Sequence, residues 1–357
     1  MSKNILFIGG SMNQTTMMHK ISKYFPDDNV YFTPYYGHGY IHFLVKIGFL
    51  NFSILGGRFF ANTMKYFEEN NLKVDYRGLQ REYDLVFTCQ DLIFPKNIKK
   101  TRVVLVQEGM TDPKSIMYWL VKYLNFPRYA ASTAATGLSD FYDIFCVASE
   151  GYKKMFVNNG IKENKIVVTG IPNFDDLNKY AGNNFPHRGF VLVATSDARE
   201  TFKIEDRNGF IKSAIKIAAG RQLIFKLHPN EKFDRATKEI KKLVPEAIVL
   251  TSGDINEMIA NADVLVTQYS SCVYTGIALG KEVHSYFKLD ELKQLSPIQN
   301  DGASAKIIAE LGHSLLRYDV NEIKLRGKKN LKIIDNPIPS ILKDSYSKTF
   351  SQTVITG

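Results

Sequence analysis

Short apolar runs that end in polar strand-exit residues constrain this chain most. Val264-Leu265-Val266-Thr267 has the length and composition of a strand buried on both faces, and the chain leaves it through Gln268-Tyr269-Ser270-Ser271. Gln222-Leu223-Ile224-Phe225-Lys226 is a second such run, followed by Leu227-His228-Pro229-Asn230. Comparable runs cover 5–8, 83–88, 102–106, 144–147, 166–169, 190–194, 247–250 and 281–286, with an aromatic strand or loop at 30–36. Helical stretches separate them. This alternation is the pattern of doubly wound parallel sheets, so the fold class is α/β. Gly170-Ile171-Pro172-Asn173 interrupts the regularity and the polar stretch 175–188 reads as an interdomain connection. The expected division is a first domain over 1–172, a linker over 173–188 and a second domain over 189–330.

In open α/β sheets ligands collect outside the carboxyl ends of the strands, which makes the strand-exit residues the functional candidates. Gly9-Gly10-Ser11 follows the first run. Its glycines allow either a close backbone approach to a ligand or a tight turn, and the spacing is not that of a dinucleotide fingerprint. Gln107-Glu108-Gly109 follows 102–106, where Glu108 can serve as a general base, hold a hydroxylated ligand or cap its own turn. Thr195 and Ser196 stand at the exit of 190–194. His228 is either a ligand-facing group or a satisfied histidine beside Pro229. Ser270 and Ser271, where a helix begins, can hold a phosphate or act as an N-cap.

The 357 residues carry 46 Lys and Arg against 36 Asp and Glu, a net charge of +10 that favours an anionic partner. Basic and aromatic residues are not organised into a nucleic-acid-binding module, so no nucleic-acid partner is expected. Cys89, Cys146 and Cys272 show no metal-ligand spacing and suit the reduced thiols of a cytoplasmic protein. The amino-terminal apolar run is too short for a signal peptide, and no run reaches the ~18 to 20 apolar residues of a spanning helix. Membrane contact would therefore be peripheral, at the inner face. Its candidate is 41–66, where Phe43, Leu44, Ile47, Phe49, Leu50 and Phe52 are interleaved with Lys46 and Arg58. That segment reads either as two core helices broken at Gly56-Gly57 or as a helix resting on an anionic membrane or a lipid-linked acceptor.

Gln107-Glu108-Gly109, His228-Pro229 and Ser270-Ser271 together resemble the three short motifs of bacterial sialyltransferases and related Kdo transferases. Ser149-Glu150-Gly151-Tyr152, the 165–173 stretch and Leu227-His228-Pro229-Asn230 look like the capsule transferases, including the CDP-glycerol glycerophosphotransferase-like group. Both resemblances imply the GT-B fold, two Rossmann-like domains facing one another across a cleft. They also imply a helical segment, expected over 331–357, that crosses back to the first domain. The implied activity is an inverting, metal-independent transfer of a CMP-activated nonulosonic or ulosonic acid, of the sialic, pseudaminic, legionaminic or Kdo type, to a surface-glycan acceptor. Alternatives are a CDP-glycerol or polyol-phosphate transferase, a UDP-sugar 2-epimerase and a non-catalytic nucleotide-sugar binder.

The resemblance implies no cofactor beyond the cytidine-nucleotide donor, and no Asp-x-Asp element is present. It casts Glu108 as base, with His228, Pro229, Ser270, Ser271, Thr195 and Ser196 about the nucleotide and its phosphate, and Gly10, Ser11 and Gln107 on the acceptor side. Gln107 departs from the sialyltransferase pattern, which often has an acidic residue there, and Glu108-Gly109 departs from the His-Gly usual in the glycerophosphotransferase group.

Overall fold

The computed structural model describes residues 2–200 and 205–317. Each short apolar run becomes a strand, because a four- or five-residue segment without a polar face can only be buried between helical layers. The first sheet contains β1 (Asn4–Ile8), β2 (Asn29–Thr33), β3 (Leu85–Thr88), β4 (Arg102–Val106), β5 (Ile144–Val147) and β6 (Ile166–Val168), in the order β2-β1-β3-β4-β5-β6. The second contains β7 (Val191–Ala194), β8 (Leu223–Lys226), β9 (Ile248–Leu250), β10 (Val264–Thr267) and β11 (Glu282–His284), in the order β11-β10-β7-β8-β9. All the strand pairs are parallel. Residues 5–8, 85–88 and 102–106 are fully buried, as expected of strands covered on both faces.

The helices in chain order are α1 (Met12–Ser22), α2 (Tyr40–Lys46), α3 (Gly57–Glu69), α4 (Ile116–Leu124), α5 (Glu150–Asn158), α6 (Arg207–Ala218), α7 (Phe233–Leu243), α8 (Ile255–Asn261), α9 (Cys272–Ala278), α10 (Leu289–Leu295) and α11 (Ser304–Arg317). Direction of winding reverses between β1 and β3 in the first sheet and between β7 and β10 in the second. At each reversal the connections leave the sheet on opposite sides and open a crevice at the carboxyl edge. The candidate site residues lie along these two edges.

The structure adds to the sequence reading in three places. The return to the first domain is made by α11, which lies inside the range expected for the second domain. There His313 Nε2 meets Tyr24 O at 3.0 Å, and the His313 ring packs on Phe25. The helical segment expected over 331–357 lies outside the described residues. Residues 41–66 do form two helices with a break near Gly56, and α3 packs on the core through Thr63 and Phe67, but α2 and the loop after it do so only in part. Ile41 and Leu55 are buried, whereas Phe43, Ile47, Phe49 and Phe52 face solvent. The stretch 111–139, given no element above, supplies α4 and a 3₁₀ segment, Arg128–Ala135.

Candidate functional site

Glu108 follows β4, and its carboxylate is held by groups from the exits of β3 and β1, the next two strands on one side. Ser11, the N-cap of α1, donates its hydroxyl to Oε1 at 2.5 Å, and Gln14 Nε2 donates to Oε2 at 2.5 Å. Gln90 Nε2, just beyond β3, approaches Oε2 at 3.4 Å, and Asn13 Nδ2 donates to the Glu108 carbonyl at 3.0 Å. These donors to the carboxylate are all neutral. They fix its direction. Ser11 Oγ also accepts the Gln14 amide at 3.2 Å, so one hydroxyl both caps the helix and positions the acid.

Gly10 is needed here for close approach: a Cβ on it would lie 2.0 Å from Gln14 Oε1. Gln107 is buried. Its Nε2 donates to Gly109 O at 2.7 Å and its Oε1 accepts the Ala148 amide at 2.9 Å, so it shapes the strand exit rather than reaching outward. Gln14 and Gln90 were not singled out in the sequence. Gln90 had a signal, its position at a strand exit, and Gln14 had none beyond lying one turn into a helix.

The second domain presents three adjacent exits, from β10, β7 and β8. His228 Nδ1 accepts the Asn230 amide at 3.2 Å, which leaves Nε2 as the donor of the neutral ring. Its side chain is 39% exposed, with Asp197 Oδ2 3.7 Å from Nδ1. Beneath it, Glu231 accepts the His228 amide at 2.9 Å, the Thr195 hydroxyl and the Arg207 guanidinium. Thr195 is accordingly buried, with its hydroxyl committed inside the protein. The structure makes it support for the His228 loop rather than a group facing the cleft. Ser196 Oγ donates to Gln268 Oε1 at 2.7 Å and ties the β7 exit to that of β10. Ser270 Oγ accepts the Cys272 amide at 3.3 Å, whereas the Ser271 hydroxyl makes no capping bond.

The two carboxyl edges face each other. A methyl group placed on Gly109 would lie 3.7 Å from Ser271 Cβ, and the buried hydroxyls of Tyr152 and Tyr274 meet across the domains at 2.7 Å. Between the edges is a cavity of about 270 Å³ lined by Glu108, Gln90, Asp112, Ser271, Tyr269 and Phe287 among others. Tyr269 is exposed and stands edge-on to Tyr286 and Phe287, an aromatic wall not foreseen in the sequence. His228 and Ser196 do not line this cavity; they lie along the same edge, Ser196 one strand and His228 two strands away from Ser271. Cys89, beside Glu108, is buried, and burial together with the Glu108 charge pushes its thiol well above the ordinary range, so it stays protonated.

No family model matches this sequence, and no curated protein does. Solved structures do match in shape. A Listeria monocytogenes protein described as a UDP-N-acetylglucosamine 2-epimerase superimposes with a TM-score of 0.52 at 13% identity, covering 100% of both chains. The fold is GT-B. UDP-GlcNAc 2-epimerase from Neisseria meningitidis, bound to UDP-GlcNAc, gives a TM-score of 0.49 at 13% identity over 96% of this chain and 100% of that one. The wall teichoic acid polymerase TagF gives 0.45 at 12% identity over 99% and 90% respectively.

Proposed function

We propose that this protein is a glycosyltransferase that takes a nucleotide-activated donor on its second domain and transfers the sugar to an acceptor deprotonated by Glu108. The observation carrying the proposal is a carboxylate aimed by three neutral donors into a cleft whose opposite wall presents the uncapped Ser271 hydroxyl. In that arrangement the acceptor O–H loses its proton to Glu108 while its oxygen bonds to the anomeric carbon. The bond from that carbon to the donor phosphate breaks, and the nucleotide departs with the electron pair. Charge growing on the phosphate is met by a hydrogen bond from Ser271, and the rest of the nucleotide extends along the same edge toward His228 Nε2. Ser270, Ser196 and Pro229 shape the same edge; Gly10 and Ser11 hold the acceptor-side acid.

The motifs Glu108-Gly109, His228-Pro229 and Ser270-Ser271 favour a CMP-activated nonulosonic or ulosonic acid as donor, with a surface glycan or lipid-linked glycan as acceptor. Presenting CMP-, CDP- and UDP-linked donors to the protein, first by thermal shift and then with acceptors, tests this. Stabilisation by CMP and release of CMP on transfer are expected. Selective response to a CDP-polyol would assign polyol-phosphate transfer instead.

A second reading is favoured by Asp112, a further carboxylate in the same cavity, since a UDP-sugar 2-epimerase needs several acidic groups about the sugar. Asp112 Oδ2 is engaged by the Ser132 and Thr133 hydroxyls, which is a supporting role for that carboxylate. Incubation with a UDP-sugar in deuterated water, without acceptor, separates the two: exchange at the sugar C2 establishes the epimerase and removes the transferase.

A further inference from the structure

Helix α4 has the wrong polarity for a surface helix. Tyr118 and Val121 are buried, but the side turned to solvent carries Ile116, Met117, Trp119, Tyr123 and Leu124, with Ile116 77% and Tyr123 68% exposed. A surface helix of a globular protein ordinarily presents charged and polar groups there. The helix is followed by the exposed Phe126 and Tyr129, and the Tyr129 hydroxyl meets that of Tyr40 at 2.7 Å. Tyr40 opens α2, whose own exposed side and the loop after it add Phe43, Ile47, Phe49 and Phe52. Two segments about seventy residues apart in sequence therefore meet on one face of the first domain.

The charges within these two stretches of chain have a single sign. No Asp or Glu occurs between Asp28 and Glu68, or between Asp112 and Asp140, while these stretches contain Lys46, Arg58, Lys65, Lys114, Lys122 and Arg128. Lys114 lies 5.8 Å from the centre of the Trp119 ring and Lys122 lies 5.7 Å from that of Tyr123. Trp119 and Tyr123 stack at 5.9 Å. Amphipathic aromatic rings beside cations, in two stretches that carry no carboxylate of their own, match the headgroup layer of a bilayer. Among the described residues no helix is long and apolar enough to cross a membrane, so the geometry fits a face that lies on the lipid.

We propose that α2 with its following loop and α4 form a docking face for an anionic bilayer. This goes beyond the transferase reading and does not depend on it, since docking is measured without donor or acceptor. Trp119 is the one tryptophan of the sequence and sits inside the face, so it reports insertion directly. Vesicles of phosphatidylcholine with about one third phosphatidylglycerol are expected to shift its emission to the blue. Bromine-labelled lipid should quench it, and added salt should reverse both effects.

The combined Ile116→Ser, Tyr123→Ser and Leu124→Ser variant should lose roughly tenfold or more in vesicle partition. All three side chains are exposed, so folding, checked by circular dichroism, is retained. Lys114→Glu with Lys122→Glu provides a second test that leaves the apolar groups alone and should likewise lose roughly tenfold or more on the anionic vesicles. Absence of any Trp119 response at low salt overturns the proposal, as does undiminished vesicle binding by both variants. Concentration-dependent dimerisation that covers Trp119 without lipid, seen by sedimentation, would assign the face to a second copy of the chain and overturn it too.

Discussion

Ser270 and Ser271 are neighbours in the chain with different duties. Ser270 closes the turn into α9 through the Cys272 amide, whereas Ser271 keeps its hydroxyl for the cleft. Ser270→Ala is therefore expected to lower stability by about 0.5 to 1.5 kcal/mol. Ser271→Ala should leave melting unchanged and weaken nucleotide binding, a contrast that calorimetry on the two variants resolves. At Gly10 the neighbour of an added Cβ is the far end of Gln14, a flexible side chain that can give way. Gly10→Ala should thus fold normally yet release Gln14 from Glu108, and turnover should fall while nucleotide affinity persists. For Glu108→Gln the fall is about 10²- to 10⁴-fold, again with nucleotide affinity retained. The position of Glu108 at a strand exit was legible because the apolar run 102–106 marks the strand that it follows. Its partners Ser11, Gln14 and Gln90 were not legible as partners, because they come from other strands and only the sheet order brings them together.

At the scale of elements, the strands were readable and the surfaces were not. A run such as Val103-Val104-Leu105-Val106 carries its own burial, whereas the apolar residues of α2 look the same whether a core or a lipid covers them. Sequence periodicity gives the apolar side of a helix without naming what faces it, and 111–139 shows the cost of that ambiguity. Packing of α1 on α3 has a titratable joint that follows from the same placement. His19 Nδ1 lies 2.9 Å from Tyr66 Oη and its ring stands edge-on to Phe32. Burial, assisted by the Lys23 charge, lowers its pKa below the ordinary 6.5. A lowered histidine contributes stability that is complete above 6.5 and is lost as the pH falls through that value toward the folded one. Melting temperature should therefore fall on the acid side of neutrality, and His19→Gln should flatten part of that slope in a pH series of thermal melts.

The whole molecule is held in register by the seam where α5 of the first domain meets α10, and by α11 returning over the first sheet. Ser149 Oγ donates to Leu295 O at 3.2 Å and the Ile298 amide donates to Ala148 O at 3.0 Å, so the chain after α10 is fastened to the exit of β5. The Tyr152 to Tyr274 hydrogen bond lies on the same side. Gly151, second in α5, permits the approach: a Cβ there would stand 1.9 Å from the Gln294 carbonyl oxygen, which is rigid backbone. In a free helix, alanine for glycine adds roughly 1 kcal/mol of stability. Here the helices must part to admit the methyl group, and parting them strains the Ser149 and Ile298 bonds and draws Tyr152 away from Tyr274. Gly151→Ala should therefore lower the melting temperature, against the sign of helix propensity, and should weaken nucleotide-dependent turnover because Glu108 and Ser271 sit on opposite walls of the cleft that this seam fixes. A rise in melting temperature at unchanged turnover would show that α5 and α10 do not set the spacing of the two domains.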